Sequence, residues 1–210
     1  MTYDEYIKAM QALKLANENR IIAVIPDVEA AAYEALIEWM DNSLEYRAGS
    51  LIATDETIAI LNEFDAGYLR LLNEIKAYKG AVTSFIKHLP PMADAMEAFN
   101  VKTNAIDWAV ANIAPTQKLV INEVLKAYTE NGLNAEFVQP LRDLLYQNIA
   151  AGTNVKEAKA YLKDYIISGN DKSGKLKRYL TQTSQQAVDG YTGAINKKLM
   201  ETFDFPYVVM

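Results

Sequence analysis

Gly169-Asn170-Asp171-Lys172-Ser173-Gly174-Lys175-Leu176 is the stretch of this sequence nearest to a catalytic motif. Two glycines with four residues between them, followed by lysine, have the spacing of a phosphate-binding loop. In such a loop backbone N–H groups surround the phosphates, and a Ser or Thr hydroxyl after the lysine holds magnesium. Leu176 stands where that hydroxyl belongs. A helix launched by the loop would still offer free N–H groups to an anion, with Lys172 and Lys175 beside them. The loop therefore reads either as the centre of a phosphate- or nucleotide-binding enzyme using residues 169–175, or as a turn before a helix. The flanks favour the turn: KEAKAYLKDYII has helical periodicity where a P-loop needs a buried strand, and too few residues follow Leu176 to complete a parallel sheet.

The remaining candidates for chemistry are sparse. His88 is the only histidine and no cysteine is present, so thiolate chemistry, disulfides and Glu-x-x-His metal motifs are excluded. His88 precedes Leu-Pro-Pro and reads as a packed or helix-end residue. Glu34 and Glu38, then Asp41 and Glu45, are acidic steps at helical spacing; paired carboxylates can do acid–base work when burial separates their pKa values, but these alternate with apolar residues and read as a solvated face. Trp39 and Trp108 read as core anchors. No catalytic residue, cofactor or metal ligand is expected, and the chain is not expected to be an enzyme.

Charge is distributed unevenly. The net charge is −6, yet residues 168–200 carry Lys172, Lys175, Lys177, Arg178, Lys197 and Lys198 against only Asp171 and Asp189. These six cations are the candidate contacts for an acidic partner or for DNA. Gly190 and Gly193 lie within the helical pattern that joins them, where each glycine costs about 1 kcal/mol relative to alanine. They are candidate hinge positions, close-packing sites or a bend.

The elements that must position these residues are helices. Nearly every segment has a helical apolar period, and the connections are short, which predicts one compact all-α unit. The expected architecture is a multi-helix bundle of about seven to eight helices, with a long C-terminal helix and a short extended tail at 205–209. It is read as a single helical domain over 1–210, with a possible sub-boundary near 131–134. Thr2 and Glu5 form a capping box. A break is expected near Pro26 with a helix starting at Asp27 and stopping at Gly49; Asp55 is expected to cap a third helix that Gly80 interrupts or ends. Pro115 is expected to begin a helix with Leu119, Val120, Val124, Leu125 and Tyr128 facing inward, and Asn131-Gly132 to stop it with a left-handed glycine. Leu176, Leu180, Ala187, Tyr191, Ile195 and Leu199 form the stripe of the last helix. No apolar run is long enough to span a bilayer, and the acidic start MTYDEY lacks a signal peptide's basic region, so a cytosolic or assembled, non-secreted protein is expected.

The last third also carries a family resemblance. Its marks are the G-x-x-x-x-E-A helix start at Gly152 to Ala158, the Arg-x-x-x-Gln-Thr run at Arg178 to Thr183, and Gly-Ala-Ile-Asn at 193–196, with an aromatic segment after them at Phe205 to Val209. In these features residues 135–210 resemble the helical region of phage minor head proteins, the Mu F-like head-morphogenesis family. Members usually continue into a small β-containing C-terminal part, whereas the sequence here stops at Met210. The resemblance implies a virion component in the capsid interior or at the portal vertex, present in the host cytoplasm during assembly. Its implied partners are portal or capsid proteins, within an oligomeric particle, and DNA is a further possible contact. A free helical adaptor is the remaining alternative.

Overall fold

The computed structural model describes residues 2–169 and 172–203. The fold is all-α: α1 (Tyr3–Ile22), α2 (Ile25–Ser43), α3 (Asp55–Glu74), α4 (Lys76–Lys87), α5 (Pro90–Asn104), α6 (Trp108–Ala111), α7 (Ala114–Thr129), α8 (Asn131–Leu133), α9 (Gln139–Ala150), α10 (Val155–Ile166) and the long α11 (Lys175–Phe203). A π-helical turn over Asn134–Val138 joins α8 to α9, and a small hairpin, β1 (Tyr46–Arg47) and β2 (Ser50–Leu51), separates α2 from α3. The extended tail expected at 205–209 lies outside the described residues.

Local chemistry accounts for most helix starts. At α1, Glu5 N–H donates to Thr2 Oγ1 (3.3 Å) and Thr2 N–H donates to Glu5 Oε2 (2.7 Å), completing the expected capping box. Pro26, Pro90 and Pro115 sit in the first turns of α2, α5 and α7, where proline's missing N–H leaves no helical bond unmade, whereas Pro140 follows the π-helical turn within continuous helix. Pro26 therefore belongs to the start of α2, and Asp27 lies inside the helix. Thr54, not Asp55, caps α3, through Thr57 N–H donating to Thr54 Oγ1 at 3.1 Å.

Two glycines expected to end helices do something else. Helix α3 stops at Glu74 and Gly80 lies within α4; α2 stops at Ser43 and Gly49 (φ 81°) turns the hairpin, whose tight loop needs left-handed residues. The hairpin is held to the α9–α10 turn by Leu51 N–H donating to Thr153 O and Val155 N–H to Gly49 O.

At 131–134 the backbone stays helical, and Gly132 is required for closeness: a Cβ there would stand 2.7 Å from the Tyr179 hydroxyl and 2.8 Å from the Ala127 carbonyl oxygen. The stripe of α7 is narrower than expected, with Val124 and Tyr128 buried but Leu119 63% exposed and Leu125 also outward. Its apolar residues occupy both sides of the helix, so periodicity alone does not choose between them.

Buried side chains form one cluster running from Tyr6 to Leu199. Helix α11 is its spine, packed chiefly on α7 and α1, with all six expected stripe residues buried. Between α7 and α11 runs a polar seam in which Tyr128 and Ser184 share a hydrogen bond (2.8 Å) and Gln117 donates to the Tyr191 hydroxyl (2.9 Å). Among the described residues no helix is long and apolar enough to cross a membrane.

Candidate functional site

The loop before α11 is built around a carboxylate. Helix α10 ends at Ile166, and the chain turns back through Ser168, whose N–H and hydroxyl donate to the two oxygens of Glu29 on α2, at 3.1 and 2.8 Å. Gly174 N–H then donates to Ser168 Oγ at 3.0 Å, and Gly169 N–H to Lys172 O at 2.8 Å. Glu29 is only 3% exposed. Gly174 is glycine because a Cβ there would meet Ile166 O at 2.2 Å and Glu29 Oε1 at 2.9 Å. The chain's own carboxylate thus lies beside Gly174, just before α11, where it is held by Ser168. Leu176, at the place of the magnesium-binding hydroxyl, is 1% exposed in the core, and the element before the loop is a helix. Asn170 and Asp171 lie outside the described residues.

The six cations are not brought together. Lys172 and Arg178 are exposed and Lys175 and Lys177 half-buried at the start of α11, while Lys197 and Lys198 lie near its other end. With a rise of 1.5 Å per residue, Lys175 and Lys197 stand about 33 Å apart along the axis. Lys197 also approaches Glu201 at 3.9 Å. Gly190 and Gly193 fall within an unbroken helix, and nothing lies within 4 Å of where a Cβ on either would stand, so close packing does not require them. Gly193 instead helps line a groove between α1 and α11 with Tyr6, Met10 and Thr192, closed on one side by the Lys14–Asp189 ion pair (2.7 Å).

The other residues singled out in the sequence have structural settings. His88 follows the last turn of α4, with Nδ1 donating to Ser84 O at 2.7 Å. Glu34, Glu38, Asp41 and Glu45 are exposed, and Asp41 pairs with Lys159 at 2.6 Å. Trp39 packs edge-on against Phe64, and Trp108 packs on the core. Among the described residues no three His, Asp or Glu side chains gather as a metal site. Asn17, 1% exposed on α1, has no hydrogen-bond partner for either side-chain polar atom among the described residues.

One basic feature escaped the sequence reading. Lys76, Lys79, Gly80, Thr83, Lys87 and His88 line a shallow groove along the outward face of α4. A second groove, adjoining it at Lys76 and Gly80, adds Arg20 of α1. None of these lysines makes an ion pair among the described residues, and the Nε of Arg20 is buried without a partner. The signal was available: KAYKGAVTSFIKH holds three lysines, a histidine and no acid, in an otherwise acidic chain.

Comparison of the chain with protein-family models, with curated proteins and with solved structures finds no match.

Proposed function

We propose that this chain is a structural component of a phage head, a minor head or head-morphogenesis protein that acts in capsid or portal assembly or in DNA packaging through protein–protein contacts. The observation that carries the reading is the motif resemblance over residues 135–210. Its described part covers α9, α10 and α11, and the quoted motifs fall on the helical pair α10 and α11 and the turn before it, built into the body of the fold. Gly152, which opens the first motif, adopts φ 61° and closes α9, and Asn154 caps α10 by accepting from Lys156 N–H at 2.9 Å. In the second motif Arg178 and Gln182 face outward while Thr183 is buried; in the third, Gly193 is exposed and Ile195 buried. Motif residues thus divide between holding the pair in place and presenting a polar face along its length.

Exposed apolar side chains add support for protein contact. Leu15 and Ile22, one heptad apart, share a face of α1, and Val110 and Leu119 are exposed on α6 and α7. The test is genetic. A phage with an early stop codon in this coding sequence should yield few or no intact, DNA-filled heads by electron microscopy, and supplying the chain in trans should restore them. Undiminished yield of normal heads would contradict the proposal.

A further inference from the structure

We infer that the outward face of α4 is a binding surface for the phosphodiester backbone of nucleic acid. This inference stands independently of the head-assembly reading. Lys76, Thr83 and Lys87 fall on one line of the helix, with Lys79 to one side and Gly80 to the other. From Lys76 to Lys87 the line is about 16 Å long, the length of duplex axis along which one strand carries about five phosphates. Gly80, exposed and with nothing within 4 Å of a would-be Cβ, leaves a dip beside the middle of this line that lets a sugar–phosphate chain approach the helix.

The chemistry of the lining selects the occupant. The two adjoining grooves contribute Arg20, three lysines, Thr83, Ser84 and His88, and no carboxylate. Beyond Lys79 and Thr83, a third groove includes Glu130, which makes no ion pair with Lys79. Protein interfaces are depleted of lysine and centre on large aromatic or aliphatic anchors; here the apolar lining is confined to Val24, Ala77 and Ala81 of the second groove, with no aromatic residue among the described lining of either. Lysine and hydroxyl side chains without a large apolar anchor are what phosphate contacts use, positioning a backbone without reading its bases. The cations of α11 compare poorly, being split between two ends about 33 Å apart.

The experiment is a titration of a fluorescent duplex of about 30 base pairs, followed by anisotropy from about 50 to 200 mM salt. Wild-type chain should bind saturably, and K76Q/K79Q/K87Q should lose about tenfold or more in affinity and about two to three units of salt slope. K175Q/K177Q/R178Q/K197Q/K198Q should stay within about twofold of wild type. Acetylation footprinting of the unmutated chain should show Lys76, Lys79 and Lys87 protected by the duplex, a readout that does not depend on variant folding. The inference is overturned by absent binding at low salt, by full affinity in the α4 variant, or by unprotected α4 lysines. Competition by polyglutamate as strong as that by DNA at equal charge would also overturn it, reassigning the surface to an acidic protein. Occupation by inorganic phosphate with no affinity for the duplex would do the same.

Discussion

Helices α11 and α4 both carry lysines, glycine and hydroxyl side chains, but the fold uses them differently. In α11 the hydroxyls of Ser184 and Thr192 are buried and donate to the carbonyls of Leu180 and Val188, and Glu29 anchors Ser168 in front of the helix. In α4 the polar residues face outward, and its lysines have no ion-pair partner among the described residues. The motif-like stretch therefore does structural work, while the unremarked stretch keeps its charge available. A motif is a statement about spacing, and availability depends on what the rest of the chain places against it.

Alkaline titration should give the largest effect, and it acts on the core that both helices share, since burial raises the Tyr78 hydroxyl of α4 as well. Burial raises the hydroxyls of Tyr179 and Tyr191 on α11 to about 12, with hydrogen bonds from Thr183 and Gln117 lowering them slightly and Glu136 and Asp94 raising them. Between pH 10 and 12 the unfolded chain releases protons that the folded chain retains, so stability should fall as pH rises through that window and be fully present below it. Denaturation midpoints at about pH 9 and 11 measure this; equal midpoints would mean that the buried tyrosines are not packed as described.

Gly174→Ala comes next. With Ile166 O only 2.2 Å from the added carbon, the substitution should cost about 3 kcal/mol of unfolding free energy in urea titration. Glu29→Ala leaves the Ser168 N–H and hydroxyl without their acceptor and should cost about 2 kcal/mol; a neutral result would show that the loop is not anchored by this carboxylate. Gly190→Ala and Gly193→Ala should move in the opposite direction, each stabilising by about 1 kcal/mol, because both positions are open and helical. If either destabilises, the glycines are needed for a bend or joint. Smallest of all, Lys14→Gln should change stability by no more than about 0.5 kcal/mol, since the Lys14–Asp189 pair is largely exposed.

The fold was legible wherever a local signal sufficed. The Thr2–Glu5 capping box and the stripe from Leu176 to Leu199 are written in spacing and side-chain chemistry, and both have their expected place. Gly132 and Gly174 were visible as glycines, but not for the right reason, because the atoms that exclude a Cβ belong to Tyr179, Ala127, Ile166 and Glu29, some of them distant in sequence. Glu29 itself was silent: a carboxylate among alanines looks like a surface residue until Ser168 is folded against it. The direction of Leu119 was equally undetermined, since α7 has apolar residues on two faces. The basic face of α4 was legible as composition, though only the structure showed that its lysines lie along one groove and make no ion pair among the described residues.

Whether the phosphate-loop reading retains any force can be decided by adding ATP and magnesium: no saturable binding is expected, and binding abolished by Lys175→Ala would overturn the structural reading of that turn. The head-assembly proposal is tested most directly by quantitative mass spectrometry of purified native particles. The chain should co-purify with portal and capsid proteins in a fixed ratio through a density gradient. Its absence from particles, with all of it recovered in the free protein fraction, would contradict the proposal and favour a free helical adaptor.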